Sequence, residues 1–325
     1  MHIPDGFVSG PINLATAVVS GAAVSLSTWR ASAQARLRPS NVPLLATTAA
    51  FIFAAQMLNF PIAAGTSGHF LGAAVVAALL GPASACLVLA LVLVIQCFLF
   101  TDGGSSALGS NVFNMGLVAG LSSFLIMRLL RPFLPRGRSG FLLAVGVAAW
   151  ASIVLAAAAC SLELALSGTF PFLAVFPAMV GTHALIGIGE ALISVAVLSA
   201  VWAARPDLLP AWTGASPDFA PPRRATPWIF ASLGLAIALF LAFVVSPYAS
   251  SAPDGLEKVT SGISSSVPQP ASSWSLYIFP DYSVPGVHSE RLSTGLAGLI
   301  GTLAVFVLGF ILIRLFSARS RPPEA

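Results

Sequence analysis

Long, nearly uncharged apolar runs constrain the fold of this chain more than any other feature of its sequence. Only 8% of its 325 residues are charged, whereas ordinary soluble domains carry about 25% charged residues. A bilayer core about 30 Å thick requires about 20 apolar residues per helix. The sequence therefore predicts an all-α polytopic membrane protein with nine spans, or eight if the shortest does not cross. The predicted spans are residues 10–29, 41–58, 70–81, 83–100, 107–130, 140–166, 171–203, 226–246 and 292–316.

The boundary between the third and fourth predicted spans is the dipeptide Gly81-Pro82. Proline lacks an amide hydrogen and disfavours helical continuation of the residue before it, so we expect a break at this point. The 70–81 segment is short for a span. It is expected either to cross with help from its neighbours or to be partly re-entrant.

The basic residues predict the orientation of the chain, because cytoplasmic loops of membrane proteins are enriched in Lys and Arg. Nine spans with an external N-terminus and a cytoplasmic C-terminus leave only Lys258 and Arg291 outside. The arginines then expected on the cytoplasmic side are Arg30, Arg36, Arg38, Arg128, Arg131, Arg136, Arg138, Arg205, Arg223, Arg224, Arg314, Arg319 and Arg321. The net charge of +4 is thus a topology signal in a lipid bilayer and implies no nucleic-acid partner.

The chain is predicted to have two membrane parts joined by a linker. Residues 1–204 contain seven predicted helices with short loops, and residues 205–225 form a cytoplasmic linker with prolines and arginines. Residues 226–325 form a predicted two-helix hairpin around an external loop, about 247–290, that is rich in Ser and Pro.

The chain begins MHIPDGFVSG, with no basic n-region and no small-residue cleavage site, so we expect it to keep its own N-terminus. A bulky second residue also disfavours removal of Met1. His2 and His69, the two histidines of the N-terminal half, are both predicted on the external side. Taken singly, His2 would be a frayed terminal residue and His69 a helix-start residue bonded to its loop.

Together, the two histidines offer the geometry of a chelate. A free amine at Met1, the amide nitrogen of His2 and its ring Nδ1 close a five-membered and a six-membered ring around one metal ion. The His69 imidazole would complete a planar set of four nitrogens. Such a set favours Ni²⁺ or Cu²⁺, accommodates Co²⁺, and disfavours Mg²⁺ and Ca²⁺. Binding should weaken as the pH falls and the nitrogens are protonated.

Several motifs resemble those of one transporter family. MHIPDGFVSG, GTSGHFLGAAVVAALLGP, LVLVIQCFLFTDGGSSALGSNVFNMG and MVGTHALIGIGEALIS are similar to the substrate-specific membrane component of energy-coupling-factor cobalt and nickel transporters, the CbiM/NikM family. SSAPDGLEKV and PDYSVPGV resemble the PDGLE domain, a two-helix accessory piece of these transporters. In AAGTSGH, alanines stand where the family often has Pro or Gly, and the segment after PDGLEKV is Ser-rich rather than acidic.

The resemblance implies capture of Co²⁺ or Ni²⁺ outside the cell, in the plasma membrane of a prokaryote. It also implies partners, namely a transmembrane coupling protein and two cytoplasmic ATPases. The ligands carried over from the family are the amine of Met1, the amide and ring of His2, and His69. The 247–290 loop is expected to dock over this site and to aid metal loading. The metal is expected as transported substrate, with no permanently bound cofactor.

Three ionisable residues inside predicted spans are further candidates, since such residues are costly in a bilayer. His183 and Glu190 are seven residues apart and share a helix face, which suits either a metal relay or a pair of interior polar anchors. Glu163 lies near the outer end of its helix, where an interfacial role is expected rather than a ligand one.

Polar residues near the external loops could support the metal site or serve local structure. Asn111 and Asn114 begin the fifth predicted helix, where they either cap it and bond neighbouring helices or support the site. Asp5 and Asp102 precede glycines, so each either holds the N-terminal segment in place or forms a turn.

The sequence lacks two motifs that would indicate an enzymatic function. The chain has no GxxxxGK[ST] segment and no HExxH segment, so we expect neither intrinsic ATP hydrolysis nor a metallohydrolase. A stand-alone secondary transporter or channel with a His183–Glu190 proton relay is the alternative. The three cysteines, Cys86, Cys97 and Cys160, form no CxxC pair and are expected to be packing residues.

Overall fold

The computed structural model describes residues 1–37, 41–62, 65–209, 212, 226–263 and 278–318. Some sequence predictions concern residues outside these ranges. Most of the 205–225 linker, the middle of the 247–290 loop, and the arginines Arg38, Arg223, Arg224, Arg319 and Arg321 lie outside the described residues.

Helices form almost all of the described chain. They are α1 (Gly10–Leu37), α2 (Asn41–Gln56), α3 (Ala73–Phe100), α4 (Leu108–Asn111), α5 (Ala119–Leu130), α6 (Arg138–Leu166), α7 (Phe172–Ala204), α8 (Thr226–Phe240), α9 (Gly255–Ile263) and α10 (Glu290–Ala318). A π-helical stretch, Val112–Val118, joins α4 to α5, and another, Leu241–Val245, extends α8. A short antiparallel hairpin pairs β1 (Asn59–Pro61) with β2 (Ser67–His69).

Seven helical ranges within the described residues are long and apolar enough to cross a bilayer, which confirms the prediction of a helical polytopic membrane protein. They are Gly10–Ala35, Ala73–Phe100, Leu108–Phe133, Arg138–Leu166, Phe172–Ala204, Trp228–Tyr248 and Glu290–Ser317. Helix α2 is a shorter apolar helix. The number of candidate spans is seven rather than the predicted nine for two reasons. Helix α2 is short, and the predicted segments 70–81 and 83–100 fall in one range, α3.

Helix α3 reverses direction at the predicted break. A straight helix of its 28 residues would be about 42 Å long. Yet residues just before and just after α3, His69 and Asp102, both contact His2. Gly81 has φ 83° and ψ 172°, a conformation open mainly to glycine, and Pro82 follows it. The two arms of α3 therefore run in roughly opposite directions and bring both ends to the same end of the bundle.

The centre of the bundle consists of α2 and α3, whose side chains are mostly buried. Helix α6 packs along α7, and these outer helices expose large apolar side chains such as Leu173 and Leu192. Exposure of this surface to water would be unfavourable, whereas lipid tails solvate it. The inside of the bundle and its outside are thus both apolar.

The C-terminal hairpin of α8 and α10 packs directly on α2. Small residues permit this close approach, as is usual between helices in membranes. A methyl group on Gly301 of α10 would lie 2.2 Å from the ring of Phe53, and one on Gly234 of α8 would lie 2.6 Å from Thr47. The two predicted membrane parts therefore share one interface centred on α2.

Candidate metal centre

The N-terminal segment is packed inside the protein rather than frayed. Met1 is only 5% exposed and Ile3 is fully buried. The amide of Ile3 donates to Asn111 Oδ1 at 2.8 Å, and the Asn111 amide group donates back to the Ile3 carbonyl at 3.1 Å. The amide of Gly104 donates to the same carbonyl at 2.8 Å. The segment is thus held like an added strand between α4 and the loop after α3.

Asp5 fixes the turn that follows. Its Oδ1 accepts hydrogen bonds from the amide of Ser106 at 2.7 Å and from the hydroxyl of Ser106. Gly104 is required beside it, because a methyl group there would lie 2.2 Å from the amide nitrogen of Asp5. Both Asp5 and Asn111 therefore hold the N-terminal segment in place. For Asp5 this is one of the two roles considered from the sequence.

His69 reaches the N-terminus from the β1–β2 hairpin. It pairs with Asn59 across the hairpin, and its Nε2 lies 3.2 Å from the N-terminal nitrogen of Met1. Burial and the adjacent N-terminal charge lower the pKa of His69 to about 3. The ring is therefore neutral at physiological pH and has a lone pair available for a metal.

His2 completes the cluster by stacking on His69, with ring centroids 5.1 Å apart. Its Nδ1 contacts Asp102 Oδ1 at 3.0 Å, whereas its buried Nε2 has no hydrogen-bond partner in the described structure. A chelate through Nδ1 thus requires the His2 ring to release Asp102.

Asp102 is bound on two sides. Its other oxygen accepts a hydrogen bond from the Tyr282 hydroxyl at 2.7 Å. Burial alone would raise the pKa of the Asp102 carboxyl, but the His2 ring and the Tyr282 hydroxyl outweigh burial and hold that pKa well below its usual range. The carboxylate is therefore charged and links His2 to the C-terminal part of the chain.

A residue that the sequence did not single out, Asp254, makes the closest contact with the N-terminus. Its Oδ2 lies 2.5 Å from the N-terminal nitrogen of Met1, and its Oδ1 accepts from the amide of Glu257 at 2.8 Å. In sequence it reads only as an Asp at the start of helix α9. Burial would raise the pKa of Asp254, but the N-terminal ammonium outweighs burial and holds that pKa well below its usual range.

The segment around Asp254 is bonded to the β1–β2 hairpin. The amide of Ser67 donates to the carbonyl of Pro253 at 2.9 Å, and its hydroxyl donates to the carbonyl of Ala252 at 2.7 Å. The amide of Ser250 donates to the carbonyl of Asn59 at 2.8 Å. The described start of the 247–290 loop thus lies over the hairpin that bears His69.

A small cavity lies directly beside the amine. Met1, His69, His183 and Gly255 contribute to its wall. His183 Nδ1 lies 2.8 Å from the carbonyl of Met179, and its buried Nε2 has no partner in the described structure. A methyl group on Gly255 would lie 3.0 Å from that Nε2. The structure therefore places His183 next to the cluster of Met1 and His69.

Glu190 is not paired with His183. Its two carboxylate oxygens accept hydrogen bonds from the amides of Leu71 at 2.7 Å and Gly72 at 2.8 Å. It anchors the chain between His69 and α3, which is the structural role considered for it.

Asn114 and Glu163 form a second internal pair. The Asn114 amide group donates to Glu163 at 2.8 Å and so joins the π-helical stretch to α6. Glu163 is 5% exposed and points into the bundle, where Asn114 provides a partner. Its expected role at the membrane interface stays a prediction.

The candidate donors are nitrogens of the main chain and of histidine rings. Among the residues that the structure describes, no three His, Cys, Asp or Glu side chains form a group that could hold a metal. The described cysteines are buried and unpaired. The candidate donors that the sequence singled out at Met1, His2 and His69 thus include main-chain nitrogens as well as side chains.

Comparison of the sequence with known protein families identifies the family of this chain. Residues 2–208 match the family described as the cobalt uptake substrate-specific transmembrane region, CbiM. The chain belongs to the CbiM family. Residues 228–318 match the PDGLE domain, so Asp254 is contributed by the PDGLE domain to a cluster of the CbiM region.

Relatives and solved structures agree with this assignment. A putative fused nickel transport protein, NikMN, of Archaeoglobus fulgidus is 36% identical over 324 residues, which is 97% of this chain and 98% of that protein. The fused nickel transport protein NikMN of Rhodobacter capsulatus is 29% identical over 345 residues, 95% of this chain and 96% of that protein. A crystal structure of a truncated transition metal transporter is 34% identical with a TM-score of 0.52, covering 62% of this chain and 99% of that one.

Proposed function

We propose that this chain captures Ni²⁺ or Co²⁺ as the substrate-specific component of an ATP-driven importer of the energy-coupling-factor type. The observation that carries the proposal is the buried N-terminal amine of Met1, 3.2 Å from His69 Nε2. A chain terminus is ordinarily solvated and mobile, so its burial against a neutral imidazole needs a reason. Two pre-organised nitrogen donors for a late first-row ion supply that reason.

The proposed ligands are the amine of Met1, the amide and ring of His2, and His69. Metal binding requires the amine and the His2 amide to lose protons, and therefore releases protons. The His2 ring would exchange Asp102 for the metal. Asp5 and Asn111 support the ligands indirectly, because they fix the segment from which Met1 and His2 project.

The proposed orientation puts the N-terminus outside and the C-terminus in the cytoplasm of a prokaryotic cell. About 17 helical residues separate Asn111, beside the N-terminus, from Arg128, a distance of about 25 Å. Arg131 lies over the ring of Trp212, which donates to the carbonyl of Ala78 near the reversal of α3. These arginines thus lie at the end of the bundle away from the metal centre, which supports a cytoplasmic location for them.

The proposed partners are a transmembrane coupling protein and two cytoplasmic ATPases, since the chain has no GxxxxGK[ST] segment for ATP hydrolysis. We expect cells that produce the chain with these partners to accumulate radioactive Ni²⁺ or Co²⁺. Cells with ATPases inactivated in their Walker lysines should accumulate at background level. Full uptake with inactive ATPases would instead favour a secondary transporter that uses His183 and Glu190.

We further propose that the PDGLE domain closes over the metal centre and aids loading. The bonds from Ser67 to Ala252 and Pro253, and the contact of Asp254 with the N-terminus, support this closure. Glycine at 255 is needed for it, since any side chain there would meet His183.

Gly255→Ala is therefore expected to lower the rate of metal loading about tenfold or more. The added methyl group would lie 2.8 Å from the His183 ring and 2.9 Å from Ile186, so helix α9 must move away. Stopped-flow measurement of nickel binding to the purified chain checks the rate. The matched control is Gly262→Ala in the same helix, where the methyl group meets nothing within 4 Å. Equal rates for both variants would contradict the closure.

A further inference from the structure

His69 and His183 each have one buried ring nitrogen without a hydrogen-bond partner in the described part of the chain. These atoms are His69 Nδ1 and His183 Nε2. Buried polar atoms are rarely left unsatisfied, because an unmade hydrogen bond is costly away from solvent. Both residues form part of the wall of the small cavity beside the Met1 amine. One group in that cavity can therefore serve both rings.

The contacts of the other two ring nitrogens determine where the protons are. The N-terminal ammonium of Met1 donates to His69 Nε2 at 3.2 Å, so the neutral His69 ring carries its proton on Nδ1. The carbonyl of Met179 can only accept, and it lies 2.8 Å from His183 Nδ1, so that nitrogen carries the proton of His183. The buried His183 ring is neutral, since no carboxylate is bonded to it in the described structure. The two unpartnered atoms are thus a donor, His69 Nδ1–H, and an acceptor, His183 Nε2.

The cavity has the size that one water molecule between such a pair requires. About 10 Å³ is open to the centre of a water molecule, and one buried water needs about 10–15 Å³ and at least two polar partners. Glycine at 255 keeps this space open, because a methyl group there would lie 3.0 Å from His183 Nε2. The apolar side chains in the wall are those of Leu71, Met115, Ile153 and Ile186.

We infer that one buried water accepts a hydrogen bond from His69 Nδ1–H and donates one to His183 Nε2, and that His183 thereby positions His69 for the metal. This role rests on the proposed function and leaves its four nitrogen ligands unchanged. A histidine that binds a metal usually donates its other ring N–H to a further group, which fixes the tautomer and the orientation of the ring.

The water and His183 are needed most when the metal arrives. The Met1 amine then loses its proton to bind the metal, so it no longer donates to His69 Nε2. The tautomer of His69 must from that moment be fixed from the other side of the ring. The water keeps the proton on Nδ1, and the lone pair of Nε2 remains directed at the metal.

NMR of the metal-free full chain in lipid bilayers tests the water without any metal. Two-bond correlations to labelled ring nitrogens identify the tautomer of each histidine, with signals assigned by their loss in His69→Gln and His183→Gln. We expect Nδ1–H in both rings and magnetisation transfer from water to both, with the transfer to His69 lost in His183→Met. A proton on Nε2 of either ring, or no transfer from water in the wild type, would overturn the inference. The wild-type spectrum decides even if His183→Met does not fold.

Nickel affinity tests the positioning role with a matched pair of variants at residue 183. Methionine and glutamine have similar reach, but only glutamine offers a carbonyl oxygen to bond the water. In isothermal titration with Ni²⁺, we expect His183→Met to bind about tenfold more weakly than the wild type, as is typical of residues that support metal ligands. His183→Gln should bind close to the wild type.

Equal losses in the two variants would show that His183 only fills space and would overturn its positioning role, as would wild-type affinity in His183→Met. Failure of the wild type to bind nickel or cobalt would overturn the proposed function and the positioning role with it. The presence of the water would still be decided by the metal-free NMR spectrum, so the two failures are distinguishable.

Discussion

Two residues added ahead of Met1 are expected to lower nickel and cobalt affinity ~100-fold or more, beyond the 10–100-fold loss typical of residues that only support metal ligands. The extension turns the amine of Met1 into a peptide nitrogen, which does not carry the charge paired with Asp254, and it moves the new amine out of chelate distance of the His2 ring. A single added residue is unsuitable, because an Xaa-Met-His terminus offers a planar four-nitrogen chelate of its own. The two-residue extension must also fit where Met1 is only 5% exposed. Metal retained per chain after desalting, measured by mass spectrometry of the metal, checks the prediction.

The control for this variant is the same two residues added after Ala325. It changes the length and mass of the chain equally and leaves the amine of Met1 unchanged, so it should bind as the wild type does. Tight binding by the N-terminally extended chain, with both added residues confirmed by intact-mass measurement, would show that the amine is not a ligand.

His69→Gln is expected to have the second largest effect, a loss of affinity of about two orders of magnitude, comparable to the upper end of losses at metal-supporting residues. Glutamine keeps a polar group of similar reach but removes the imidazole nitrogen that lies 3.2 Å from the Met1 amine. It also removes the ring on which His2 stacks. Isothermal titration of the purified chain with Ni²⁺ measures the loss.

His288→Gln is the matched control, because His288 is exposed and the same atoms are exchanged. It should bind nickel as the wild type does. If His69→Gln bound as tightly as His288→Gln, the β1–β2 hairpin would be a structural element only, and the ligand set would have to be sought around His183.

The helices were largely predictable from the sequence, because bilayer thickness dictates the length of an apolar run. The ends of the observed helices differ from the predicted ends where a helix continues beyond its apolar residues. Helix α1 extends to Leu37 rather than residue 29, since Ala, Gln and Arg are good helix formers in any solvent. The break at Gly81-Pro82 was predicted because proline chemistry is local. The π-helical stretch at Val112–Val118 was not, since no residue type specifies it.

The metal centre was only partly predictable. Met1, His2 and His69 were singled out from chelate chemistry, and the structure brings them together; that they bind metal remains a prediction. The positions of Asp5 and Asn111 followed from their place near the loops. Asp254 was missed, because its role depends on how the hairpin of α8 and α10 docks on α2. No local pattern reports a contact across 253 residues.

The ion pair between Met1 and Asp254 can form only after both residues have been synthesised. A ribosome adds about 5–20 residues per second, so roughly 10–50 s pass between the synthesis of Met1 and that of its partner. During that interval the amine has no carboxylate partner from the PDGLE domain. The N-terminal amine can therefore reach its final environment only after the start of the PDGLE domain has been synthesised and has docked.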